Sequence, residues 1–191
     1  MTITPTTSDD DLLRRMRAGD AQAFAALYRR HQGPVYRFAL LRCGSAGTAA
    51  DTVQEAFMGL LTGRLAFDPL RGSLPNFLFG VARLSILKQE ERRRRESPLL
   101  DPGEDDGELA GDDACPLTRV LADEAAEDVR RALSRLAPHY RDALILYELH
   151  DLSYREIATI CAIDIGTVRS RLARGRAALA KALRAHALDT H

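Results

Sequence analysis

Apolar residues recur along this chain at three- and four-residue intervals, and no run alternates long enough to suggest a strand. The spacing predicts a short helix over Asp9–Ala18, stopped at Gly19. Asp20 is placed to cap a second helix whose apolar side carries Phe24, Leu27, Tyr28, Val35, Phe38 and Leu41. Gly33–Pro34 is expected to kink or interrupt it, because proline cannot donate to the helical ladder. A third helix runs from about Gly47 to Leu61 and packs through Val53, Phe57 and Leu60. Ser73 opens a fourth that reaches about Arg95, with Pro75 tolerated in its first turn and Phe77, Leu78, Val81, Leu84 and Ile86 as its apolar content. After an interruption, Val129, Leu133 and Leu136 mark a further helix, and Pro138 opens another with Tyr140, Leu144 and Tyr147.

Residues 153–176 are more specific. Ser153 followed by Glu156 is a capping box, and Ile157 and Cys161 then share an inward face. A short break at Ala162–Ile163 precedes Asp164, which can cap the next helix. On that helix Val168, Leu172, Gly175, Leu179 and Leu183 fall in one stripe at about 100° per residue. Thr167, Ser170, Arg171 and Arg174 cluster opposite, flanked by Arg169 and Arg176. Two capped helices meet at a tight turn, and one face of the second packs while the other offers hydroxyls and guanidiniums, which is what a major-groove helix needs. Five arginines, one lysine and no acid lie between Arg169 and Arg184, an excess suited to phosphate contact.

Charge divides the 191-residue chain rather than biasing it: 27 basic and 27 acidic side chains cancel overall. Residues 96–128 hold twelve acids against one base, Arg119, directly after the wholly basic run Arg92–Arg95. Within this stretch, Ser97–Leu117 also has three prolines and three glycines and reads as a flexible linker. The expected fold is all-α: two small helical domains, 9–96 and 123–186, joined by an acidic linker, 97–122, with the helix-turn-helix in the second. No apolar run approaches the length of a membrane span, and the polar, acidic start is no signal peptide, so a cytoplasmic protein without membrane contact is expected. Cys43, Cys115 and Cys161 are far apart with no paired Cys/His spacing, so neither metal nor disulfide framework is expected, and no cofactor. With no legible nucleophile–base pair, metal set or phosphate loop, an enzyme is disfavoured.

The whole chain from Asp9 to Leu183 resembles the extracytoplasmic-function (ECF) sigma factors of bacterial RNA polymerase. The resemblance rests on Asp51-Thr-Val-Gln-Glu-Ala-Phe57, on Phe67-Asp-Pro-x-Arg-Gly-Ser73 followed by Phe77-Leu-x-x-Val-Ala-Arg83, and in the second domain on Leu152-Ser-Tyr-Arg-Glu-Ile-Ala158 and Gly166-Thr-Val-Arg-Ser-Arg-Leu172. It implies that the first domain binds core RNA polymerase and melts the -10 element of promoter DNA, and that the second reads the -35 element. Asp51, Gln54 and Glu55 would face polymerase; Arg83, Lys88, Arg92 and Arg93 would meet DNA, as would the outward face of 167–176. The chain departs from the family where acids often precede the polymerase-facing helix: Thr48-Ala-Ala-Asp51 stands there. Leu84, Lys88 and Phe77 occupy positions where the family often has Asn, Asp and Trp. Leu84 is expected in the core, with apolar contact to a base as the other reading. The missing acids suggest activation by a Ser/Thr kinase at Thr52 or Thr48, each phosphate adding about −1.5 to −2 charge; an anti-sigma factor is the other candidate regulator. The competing function is a helix-turn-helix regulator that binds DNA without polymerase.

Overall fold

Local capping defines the first helices. In the computed structural model, which describes residues 7–96 and 124–189, the Ser8 hydroxyl accepts from the Asp11 amide and starts α1 (Asp9–Arg17). The Asp20 carboxylate accepts from the amides of Gln22 and Ala23 and starts α2 (Ala21–Cys43). Gly44, at φ 72°, ends α2 by returning its amide to the Leu40 carbonyl. Ser45 then caps α3 (Ala46–Leu61). A 3-10 turn at Pro69–Arg71 leads to α4 (Leu74–Glu96). The interruption foreseen at Gly33–Pro34 is absent, and α2 runs through it as one helix. Leu27, His31, Val35 and Phe38 are buried on both sides of the proline, so tertiary packing carries the helix across the missing donor.

Helices α2, α3 and α4 enclose the first core. Leu27, Phe38, Phe57 and Leu78 are almost wholly buried. The Tyr28 and Phe57 rings meet edge-on at 5.0 Å, and those of Phe38 and Phe79 at 5.6 Å. Leu84 is not in this core: it is 54% exposed, the face of α4 being set by Leu78, Phe79, Ala82 and Ile86.

The second half comprises α5 (Glu124–Ser134), α6 (Pro138–Leu144), a π turn at Ile145–Leu149, α7 (Tyr154–Cys161) and α8 (Ile165–Asp189). Leu133, Leu136, Leu144, Leu146, Ile157, Val168 and Leu172 form its core, while Val129, expected to pack, is 40% exposed. Gly175 lets α8 lie close to α6, since a Cβ there would come within 3.1 Å of Leu144 and 3.4 Å of Tyr140.

The two halves pack on each other, α2 against α5, α6 and the π turn, and α4 against α7. The acidic linker of the sequence lies outside the described residues. Among the described residues no helix is long and apolar enough to cross a membrane.

Candidate nucleic-acid interface

The α7–α8 pair is held by short-range hydrogen bonds. The Ser153 hydroxyl accepts from the Glu156 amide, and the Glu156 carboxylate accepts from the Ser153 amide at 2.8 Å, completing the capping box. Hydrogen bonds from Asn76 and then Ser153 hold the Glu156 carboxyl below its ordinary pKa. Ala162, at φ 55°, makes the turn. The Asp164 carboxylate accepts from the Thr167 amide at 2.7 Å, and hydrogen bonds from Thr167 hold its pKa low. Val168 and Leu172 are buried, as is Gly175, and Leu179 is partly covered.

Opposite this stripe, Arg169, Ser170 and Arg174 are exposed, and Arg171 and Thr167 half-buried. Ser170 is exposed and donates to the Thr167 carbonyl at 3.0 Å, so its oxygen keeps its capacity to accept. Arg176 differs from the rest. Its guanidinium contacts Glu148 at 2.8 Å and stands 5.1 Å from the centre of the Tyr147 ring, so it braces α8 against the π turn. Cys161 is buried and Cys43 half-buried, and burial pushes both thiols up; Cys115 lies outside the described residues.

On the first half, Asp51, Gln54, Glu55 and Met58 line a shallow recess on the outer face of α3. Glu55 is tied to α4 by a 2.6 Å hydrogen bond from Ser85. Thr52 points the other way. It is fully buried and its hydroxyl donates to the Thr48 carbonyl at 2.7 Å. Thr48 is 9% exposed, and its hydroxyl accepts from Arg93 at 3.3 Å. Lys88 and Arg92 are exposed, Arg92 beside Glu96 at 3.4 Å. Arg83 instead turns into the contact between the halves, 2.8 Å from Asp142.

Two family models match: Sigma-70 region 2 over residues 27–96 and Sigma-70 region 4 over residues 126–179. RNA polymerase sigma-H factor of Pseudomonas aeruginosa is 32% identical over 92% of this chain and 93% of its own length. The ECF RNA polymerase sigma-E factor of Escherichia coli K12 is 32% identical over 90% and 92%. The chain belongs to the ECF sigma factors of bacterial RNA polymerase. A sigma factor directs transcription through core polymerase and is not itself an enzyme. Among solved structures, this sigma factor resembles RpoE of Bartonella quintana, crystallised with the anti-sigma factor NepR, at TM-score 0.67 and 26% identity over 86% of this chain and 98% of that one. It shares a fold with CnrH, solved with the cytosolic domain of CnrY, at TM-score 0.65 and 23% identity over 93% and 97%.

One set of contacts in this sigma factor escaped the sequence. The Arg42 side chain is wholly buried, gripping Glu90 at 2.6 and 3.0 Å and bonded to the equally buried Asp142. Arg141 donates to the Arg42 carbonyl at 2.7 Å, and Asn76 donates to Glu156 at 3.0 Å. Each partner lies on a different helix, many residues away, so no local spacing marks the cluster.

Proposed function

We propose that this sigma factor docks on core RNA polymerase through the outer face of α3, with Asp51, Gln54 and Glu55 as polar contacts and Met58 as the apolar one. Within the division 9–96, 97–122 and 123–186, the first domain engages the -10 element through α4, where Arg83, Lys88, Arg92 and Arg93 serve the phosphate backbone. The second places α8 in the -35 major groove, with Thr167, Arg169, Ser170, Arg171 and Arg174 toward the DNA. The observation that carries this reading is the two-sidedness of α8: Val168 and Leu172 buried, Arg169, Ser170 and Arg174 exposed. Arg176 supports the helix rather than reading bases. The test is pull-down of core polymerase followed by run-off transcription from a cognate promoter. The protein binds polymerase and confers specific starts; failure of both overturns the reading. An independent DNA-binding regulator would instead grip duplex DNA tightly without polymerase.

For regulation by threonine phosphorylation we propose Thr48 rather than Thr52. Thr52 is enclosed, so a kinase reaches it only if α3 loosens, whereas Thr48 lies in the first turn beside Arg93. A phosphate at Thr48 would gain a guanidinium partner and the favourable end of the helix dipole. Phosphate mapping by mass spectrometry, with polymerase binding by Thr48→Ala and Thr48→Glu, tests this. The likeness to a sigma factor crystallised with NepR supports an anti-sigma factor as the other regulator; co-purification from cells distinguishes the two.

A further inference from the structure

The outer face of α4 takes little part in packing. The helix turns Leu78, Phe79, Ala82 and Ile86 inward, whereas Leu84 stands 54% exposed. A single exposed leucine is ordinary on a protein surface; its surroundings make this one informative. At about 100° per residue, Phe77, Val81, Leu84, Lys88, Arg92 and Arg95 share one stripe. Phe77 and Val81 are half-buried, the Phe77 ring lying 5.3 Å from that of Phe67, and the rest of the stripe is exposed. The stripe is therefore apolar toward the start of α4 and basic toward its end. Gly80 borders the apolar part. A Cβ there would meet nothing within 4 Å, so this glycine serves no packing of helix on helix, unlike Gly175. Glycine costs stability in a helix interior, and one recurrent use of it is close approach of a ligand to the backbone. Phe77, Gly80, Val81 and Leu84 thus form a shallow apolar shelf with a gap in it.

We propose that this shelf reads a thymine base of the opened -10 element, with Leu84 as the specificity-determining contact. The inference rests on the promoter reading above and names what α4 recognises there. Charge selects the class of partner. Lys88, Arg92 and Arg95 continue the stripe, so a strand whose phosphates lie along them sets its next bases beside Leu84, the pairing of basic track and base platform that single-strand sites use. Arg92 also contacts Glu96 at 3.4 Å, an exposed pair that a phosphate can displace. Shape selects the unpaired form. In a duplex the base faces are covered by their neighbours, whereas an unstacked base offers a flat face to the gap at Gly80. Chemistry selects the base. The leucine side chain neither donates nor accepts a hydrogen bond, so it separates bases only by the apolar surface they bury. Of the four bases only thymine carries a methyl group, and apolar side chains recognise it. Burying one methyl group corresponds to about a fourfold gain in affinity.

The experiment uses the full chain assembled with core polymerase and a cognate promoter opened in advance across the -10 element by mismatches. Each thymine of the element, on either strand, is replaced in turn by deoxyuridine, which removes only the methyl group. With wild type, one position loses about fourfold in affinity on this replacement. Leu84→Ala loses the sensitivity, and Leu84→Met, which restores a flexible apolar side chain, recovers it. Gly80→Ala separates recognition from stability. It raises the thermal midpoint, as an added methyl group in an open helical position should, yet lowers affinity for the opened template. Indifference of wild type to deoxyuridine at every position overturns the proposal, as does a sensitivity that Leu84→Ala leaves intact. A Leu84→Ala protein that loses affinity for core polymerase itself assigns the leucine to a protein contact, and the proposal fails. Should Leu84→Ala lose its helical circular dichroism, Gly80→Ala decides alone, and unchanged affinity in it overturns the shelf. Wild type that binds no core polymerase overturns the promoter reading and this inference with it; a working holoenzyme blind to the methyl group overturns this inference alone.

Discussion

His150 shows how one side chain ties packing to solution conditions. Its ring lies against Phe79, and its Nε2 atom is buried without a hydrogen-bond partner. Burial, and then the positive charge of Arg37, hold its pKa at about 4, with Asp151 acting in the opposite direction. Packed, the ring is neutral; released to water, it titrates near 6.5. Between those values the released form binds more protons. The stability that the neutral ring contributes is therefore complete above pH 6.5 and is lost as the pH falls toward 4. Thermal unfolding followed from pH 7 to 5 should show a falling midpoint in wild type and a flatter one in His150→Phe, which keeps the ring contact and removes the proton site. Parallel curves would assign the acid sensitivity to other groups.

At the scale of elements, α7 and α8 were legible because their signals are local. A capping box, a turn and a second cap lie within a dozen residues, and each is made by neighbours in sequence. Ser153→Ala should cost about 1 kcal/mol, read as a lowered denaturant midpoint, because it leaves the Glu156 amide at the start of α7 without its acceptor. Arg171→Ala and Arg174→Ala should each weaken promoter-specific transcription by about 1–3 kcal/mol of discrimination while core polymerase binding is unchanged. An unaltered -35 preference in both would remove α8 from the reading role. Elements whose form depends on distant partners were less legible. The unbroken passage of α2 through Pro34 comes from burial on either side of it, and the π turn at Ile145–Leu149 leaves no mark in the apolar spacing. Leu84 and Val129 fit their helical patterns yet face outward, because periodicity gives a stripe and packing decides how much of it is covered.

On the scale of the whole molecule, the sequence showed two helical units but not that they meet. Arg42 and Asp142 sit a hundred residues apart, and each alone resembles a solvent-facing charge on an amphipathic helix. Their pairing joins the two halves of the molecule. With the halves packed together, the free protein is expected to engage one promoter element at a time. Fluorescence anisotropy with two duplexes of equal length, one carrying only the -35 element and one carrying both, should give equal, weak affinities for the free protein. With polymerase present, the duplex carrying both elements should bind more tightly than the -35 duplex. Raising the salt should weaken both complexes, because each depends on phosphate contacts by arginine and lysine. A free protein that already prefers the two-element duplex would mean that its halves separate without polymerase.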